Sequence, residues 1–357
     1  MSPDPPELAA PSSPDSSPAP RRARRALGAL LGAALFAGAV YVLYSELRAH
    51  SFAEVLAELR AFSPGRLALS LGATALGYLA LAGYDAVSLA ALRRRLPFHC
   101  VAYAAFIGYA FANSLPLSVV TGASVRYRLY SQWGLERGEA ARVIALNTVT
   151  YAVGLLATAG LAFAVQPVLV PGFLRLPLHT ARPLGALCLV LVASYLAWSA
   201  HPGGPLRVWR WELPRPTLPR ALAQIGVSSL DWIFSGAALY VLLPGRVPFH
   251  VFLAVFLLGQ IAALIAQVPA GLGVFEAVLI WCLEPAAGTP AILAALVGYR
   301  VIYFLLPLAI ASVLWGAREV RGWVRRRRGR ERPARGRAEP PPPPPHEVYP
   351  GTGSGAR

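Results

Sequence analysis

Apolar runs close to the length of a membrane span recur along this chain, and they constrain its fold more than any other feature. They read "ALGALLGAALFAGAVYVLY" (26–44), "LALSLGATALGYLALAGYDAVSLAAL" (67–92), "VIALNTVTYAVGLLATAGLAFAV" (143–165), "LGALCLVLVASYLAW" (184–198), "LAQIGVSSLDWIFSGAALYVLL" (222–243) and "ILAALVGYRVIYFLLPLAIASVLW" (292–315). A helix of about 20 apolar residues crosses a hydrocarbon core with every backbone polar group satisfied internally. Only 14% of the 357 residues are charged, against roughly 25% in soluble domains. The expected fold is therefore an all-α polytopic membrane protein. The first run exceeds the roughly 7–15 residues of a signal-peptide core, and no convincing cleavage site precedes Glu46, which favours an uncleaved span.

Two further apolar segments, 101–120 and 251–283, are interrupted by helix breakers: Pro116 and Gly122 in one, Pro269, Gly271 and Gly273 in the other. The net charge of +16 lies largely in "RRARR" (21–25), "RRR" (93–95), the Arg207, Arg210, Arg215 and Arg220 cluster and "REVRGWVRRRRGRERPARGR" (318–337). Basic flanks beside apolar runs point to a cytoplasmic face and anionic lipid headgroups rather than to nucleic acid. With both termini placed inside, the loops balance if six runs cross fully and each broken segment enters and leaves on one side. "PFH" recurs at 97–99 and 248–250, where each broken segment begins, and at the same offset Gly108 meets Gly259, Ala112 meets Ala263 and Gly122 meets Gly273. The expectation is an inverted repeat of two re-entrant hairpins, with halves at about 65–165 and 219–316, a pattern in which transporter sites lie near the midplane. Residues 1–25 read as a disordered basic tail, 26–316 as the membrane domain and 317–357 as an Arg/Pro-rich disordered tail.

Asp85, Arg126, Asp231, Glu276 and Arg300 lie within these apolar segments or at their breaks. Insertion of one such charge costs roughly 2.5–3.5 kcal/mol at the bilayer centre, so they are expected to face one another or a wet cavity. They could be ion pairs that lock helices together, or a site for a group carrying both signs. In "QVPAGLGVFE" (267–276) the helix is expected to break and to restart near Val274, with Glu276 in its first turn. The positive end of that restart suits a phosphate. In "SLPLSVVTGASVRYRLY" (114–130) a matching restart near Gly122 would present Arg126.

"GASVRYRLYSQWGL" (122–135), "PAGLGVFEAVL" (269–279), "GYRVIYFLLPL" (298–308), "GYDAVSL" (83–89) and "SSLDWIFSGAALY" (228–240) resemble the transmembrane region of bacterial lysylphosphatidylglycerol synthases and the stand-alone membrane proteins grouped with it. The resemblance covers about residues 26–316. It implies movement of aminoacylated phosphatidylglycerol between leaflets, and it implies functional roles for the same five charges. The family's common Pro-Gly-Gly before the glutamate is here "PAGLG", with Ala270 in place of a glycine. The synthases continue into a soluble aminoacyl-transfer domain, whereas this sequence continues into a basic, proline-rich tail.

The sequence has no HExxH, Walker or GxSxG motif, and its six histidines and three cysteines are scattered, so neither an enzyme, a metal site nor a cofactor is expected. Translocation would be passive or driven by an ion gradient. Three functions follow as expectations: a phospholipid translocase of the bacterial cytoplasmic membrane; a membrane component of lipid headgroup synthesis working with a separate soluble domain; or a membrane scaffold using its basic tail. Phospholipids and a second copy of the chain are the expected partners.

Overall fold

A computed structural model describes residues 52–114, 118–174, 178–202, 204, 206–208, 211–213, 215–244, 247–266 and 273–331. The run 26–44, the segments 1–25 and 332–357, and the break residues Pro116, Pro269 and Gly271 lie outside the described residues. Helices α1 (Phe52–Arg60), α2 (Pro64–Ala91), α3 (Phe98–Ser114), α4 (Ser118–Gln132), α5 (Arg137–Val165) and α6 (Arg182–Ala200) form the first part of the chain. After a loop come α7 (Leu218–Tyr240), α8 (Phe249–Ala266), α9 (Val274–Ala287), α10 (Thr289–Tyr299) and α11 (Leu306–Glu331), the last two joined by a π-helical turn, Arg300–Leu305. The fold is helical except for one small addition that the sequence does not announce. In the α6–α7 loop, Leu206–Val208 (β1) pairs antiparallel with Trp211–Leu213 (β2).

Six helical segments are long and apolar enough to cross a membrane: α2, α5, α6, α7, α8 and Thr289–Val320. Five coincide with runs read from the sequence. The sixth, α8, is the entering arm of the second interrupted segment; its 18 residues reach about 27 Å at 1.5 Å per residue. The other arms are shorter. The 15 residues of α4 and 14 of α9 give about 22 and 21 Å, less than the ~30 Å hydrocarbon thickness.

Each half of the chain opens on a long helix carrying an aspartate, α2 with Asp85 and α7 with Asp231, followed by a helical pair. These two opening helices pack along each other. Ser70 Oγ donates to the Ala238 carbonyl at 2.8 Å near the start of α2, and Gly83 lies against Val227 near its end. An early residue of one thus meets a late residue of the other, so the helices run antiparallel. Across α5, Gly154 allows the closest approach, because a Cβ there would overlap the Ser228 side chain. Small residues at such crossings are how helices pack when lipid supplies no hydrophobic drive between them.

The apolar core gathers Leu239, Phe252, Phe256, Leu257 and Leu279, all essentially without exposure. Large apolar side chains also face outward: Leu69, Leu76 and Leu79 on α2, Leu161 and Val165 on α5, Leu187 and Val190 on α6. Outward leucines in this number fit helices solvated by hydrocarbon. The chain divides into two compact units, residues 1–313 and 314–357. The second begins within α11, which stays helical to Glu331. The tail expected to be disordered from residue 317 is therefore helical over its first part, as an arginine-rich sequence of good helix propensity allows.

Candidate functional site

Asp85 projects from α2 with 0% exposure. Its Oδ1 accepts hydrogen bonds from the Tyr130 hydroxyl at 2.9 Å and from Asn147 Nδ2 at 2.8 Å. Ser88 Oγ in turn bonds Asn147 Oδ1 at 2.7 Å, which fixes the orientation of that amide. Its other oxygen, Oδ2, stands 3.7 Å from Nη1 of the buried Arg126. That is ion-pair range but beyond a hydrogen bond. The Arg126 guanidinium lies 4.2 Å from the centroid of the Tyr109 ring, a cation–π contact that partly offsets its desolvation. Asp85 Oδ2, Arg126 Nε and Nη1, and the Tyr109 hydroxyl are buried and have no hydrogen-bond partner among the described residues. Buried polar groups in native structures are nearly always satisfied, so four orphans around one ion pair mark a place with binding capacity.

Helix α4 positions Arg126 by packing very closely on α3. A Cβ on Gly108 would come 2.5 Å from Arg126 Cγ, and one on Gly122 would come 2.5 Å from the Gly108 carbonyl. Gly122 is thus not a break residue. It lies inside α4, which restarts at Ser118, and its missing Cβ serves contact between the two arms. Arg126 is consequently two turns from the helix start rather than one.

In the second half, α9 begins at Val274, after Gly273 at φ 81, a left-handed conformation that glycine adopts without penalty. Glu276 Oε2 accepts from the Gly273 N–H at 2.8 Å, capping the helix, as an acid in a first turn does. Its Oε1 accepts from Arg300 Nη2 in direct contact. Glu276 is buried, and the Arg300 side chain is 19% exposed. Arg300 opens the π turn. Pro307 has no N–H for the Tyr303 carbonyl four residues back, and the Tyr78 hydroxyl donates to that carbonyl instead at 3.3 Å. Ser114 Oγ similarly bonds the Phe304 carbonyl at 3.2 Å. Such π turns recur at functional positions in helices.

Asp231 makes no ion pair among the described residues. Its Oδ2 accepts from the Tyr84 hydroxyl at 2.9 Å, and the Tyr303 hydroxyl lies 3.5 Å from Oδ1. These tyrosines connect the halves. Tyr84 packs edge-on against Tyr109 at 6.0 Å, and Tyr303 stacks on Tyr299 at 5.1 Å, the residue preceding Arg300. The five charges therefore resolve into two ion pairs and a tyrosine-held aspartate, linked through aromatic contacts. Sequence reasoning did not single out Tyr84, Tyr109, Tyr130, Asn147 or Tyr303. Asn147 was within reach of the argument applied to the charges, since it is a polar side chain inside an apolar run.

A family model described as the lysylphosphatidylglycerol synthase TM region matches residues 29–311. Among curated proteins, slr0712 of Synechocystis, an uncharacterized protein, is 36% identical over 302 residues, covering 84% of this chain and 94% of that one. The inner membrane protein YbhN of Escherichia coli is 34% identical over 269 residues, 73% of this chain and 83% of YbhN. The phosphatidylglycerol lysyltransferase of Staphylococcus aureus is 25% identical over 291 residues, 79% of this chain but 33% of the enzyme.

Proposed function

This chain belongs to the family of the lysylphosphatidylglycerol synthase TM region, and we propose on that premise that it moves a phospholipid between leaflets. The headgroup would be anionic or zwitterionic, aminoacylated forms included, and the membrane the bacterial cytoplasmic one. The carrying observation is the set of unpartnered polar atoms around Asp85 and Arg126. Arg126 has two nitrogens free to donate to phosphate oxygens, in the charge-assisted geometry that guanidinium favours. Asp85 Oδ2 is free to accept from an amine or hydroxyl on the same headgroup, while its Oδ1 is already held by neutral donors. A site that offers one buried base and one buried acid, each with spare capacity, suits a group carrying both signs.

The second pair has the complementary role in this reading. Glu276 and Arg300 satisfy each other and the end of α9, which would hold the interrupted segment in place while lipid passes. The antiparallel packing of α2 on α7 supports the reading of the halves as oppositely oriented copies. Reconstitution tests the proposal. Vesicles carrying phosphatidylglycerol with a fluorescent label are treated with an impermeant quencher. The protein should allow quenching to proceed past the outer-leaflet half; a rate no faster than in protein-free vesicles rejects translocation.

One observation favours a second reading. The chain matches a third of a protein named phosphatidylglycerol lysyltransferase, as a membrane component of headgroup synthesis would. Co-expression with a soluble aminoacyl-lipid transferase domain separates the two. Synthesis that depends on this chain while labelled lipid fails to cross would favour the second.

A further inference from the structure

A cavity of about 650 Å³ opens where α2 ends and α3 and α7 begin, lined by Arg93, Arg94, Arg95 and Arg220. Leu89, Val101 and Phe98 provide its apolar lining, and Phe98 is 56% exposed. Phe98 and Arg220 belong to the first turns of α3 and α7, so two positive helix ends lie at the same place. Arg94 is already neutralised, its Nε bonding Glu139 Oε1 at 2.7 Å. Arg93, Arg95 and Arg220 make no ion pair among the described residues.

The backbone at Arg93 carries a second signal. α2 ends in a Schellman motif, with the Arg94 N–H on the Leu89 carbonyl at 3.0 Å and the Arg93 N–H on the Ala90 carbonyl at 3.1 Å. The central position of that motif is left-handed and is usually glycine. Here it is arginine at φ 56, the one non-glycine positive φ among the described residues. An arginine kept where glycine would relieve strain points to use of its side chain.

We propose that this cavity is an anionic-phospholipid site separate from the Asp85–Arg126 centre, with Arg93, Arg95 and Arg220 on the phosphate and the apolar lining against the glycerol and upper acyl chains. A basic rim over an apolar lining at a helix end matches a lipid, which carries both parts, better than a free anion, which carries one. Basic clefts between membrane helices take such headgroups. The site does not depend on the translocation reading.

The test uses the full chain in phosphatidylcholine nanodiscs, titrated with phosphatidylglycerol and read by native mass spectrometry. The variant Arg93→Gly/Arg95→Gln/Arg220→Gln should bind phosphatidylglycerol roughly 100-fold more weakly, at about fivefold per basic residue near an anionic surface. Its melting temperature should hold, because glycine relieves the left-handed position. Removing three charges elsewhere, by Arg60→Gln/Arg66→Gln/Arg182→Gln, should cost far less. In Arg126→Gln the tight component should persist, which separates this site from the central one. Equal loss in the control triple, loss of the tight component in Arg126→Gln, or displacement of the lipid by inorganic phosphate at matched concentration would each overturn the proposal. Absent translocation with this binding intact would count only against the proposed function.

Discussion

The two buried ion pairs differ in how much bonding capacity they use. Glu276 and Arg300 are in direct contact, and the second carboxylate oxygen is spent on the Gly273 N–H. Asp85 and Arg126 stand 3.7 Å apart, the acid held by Tyr130 and Asn147 and the base lying over a tyrosine ring, with donors and acceptors left over. A closed pair contributes order to the helices it joins. An open pair keeps two charges desolvated without full return, a cost that makes sense where a third party completes the set. The difference also follows from position: Glu276 is in a helix's first turn, where its charge is welcomed, while Arg126 is mid-helix in α4, supported by ring and stem contacts.

The largest expected effect breaks the open pair. Arg126→Gln removes charge-assisted bonds worth about 1.5–3 kcal/mol each, so translocation should fall by roughly 10- to 100-fold or more in the quenching assay. It also leaves Asp85 uncompensated, a loss of about 3–5 kcal/mol. Adding Asp85→Asn should restore much of the thermal stability and none of the transport. If the double variant transports normally, the open pair is not the headgroup site.

The closed pair should answer differently to a charge swap. Arg300→Ala or Glu276→Gln alone should destabilise, by less than a fully buried pair since Arg300 is partly exposed. Glu276→Arg with Arg300→Glu should regain most of that stability and most transport. It should fall short of the parent by about 1 kcal/mol, because an arginine in the first turn loses the cap and opposes the helix dipole. A swapped protein that is stable yet inactive would instead assign Arg300 to the lipid phosphate.

The smallest effect distinguishes the glycines of the two halves. A Cβ on Gly108 strikes the Arg126 stem, while one on Gly259 strikes the Phe275 ring at 2.9 Å. Gly108→Ala and Gly259→Ala should each cost about 1–3 kcal/mol of stability as overpacking. Only Gly108→Ala should also slow transport once stability is accounted for, since it displaces the guanidinium. Equal transport in both would remove Arg126 placement from the mechanism.

Much of this was legible in the chain because the bilayer leaves few options. A run such as 143–165 has no aqueous home, and Asp85 or Arg300 inside such a run must find a partner. Which partner it finds was not legible: Asp85 meets Arg126 and Glu276 meets Arg300 across helices that no spacing rule connects. Asp231 shows the limit, since its partners are hydroxyls of Tyr84 and Tyr303, and tyrosine in an apolar run reads as ordinary packing. Gly122 was misread for a physical reason too. Glycine breaks a helix and also lets two helices touch, and only the distance to the Gly108 carbonyl tells which use applies.

The π turn at Arg300–Leu305 has a consequence for inheritance. One residue more than an α-helix needs is held there, so everything beyond it is rotated by about 100° relative to an unbroken helix. Pro307, Leu308 and Ala311 are buried in that rotated frame, while Ile310 and Val313 face outward. Loss of a single codon from this stretch would heal the backbone and turn the wrong side of α11 inward. Descendants can therefore exchange side chains in this stretch far more easily than they can change its length.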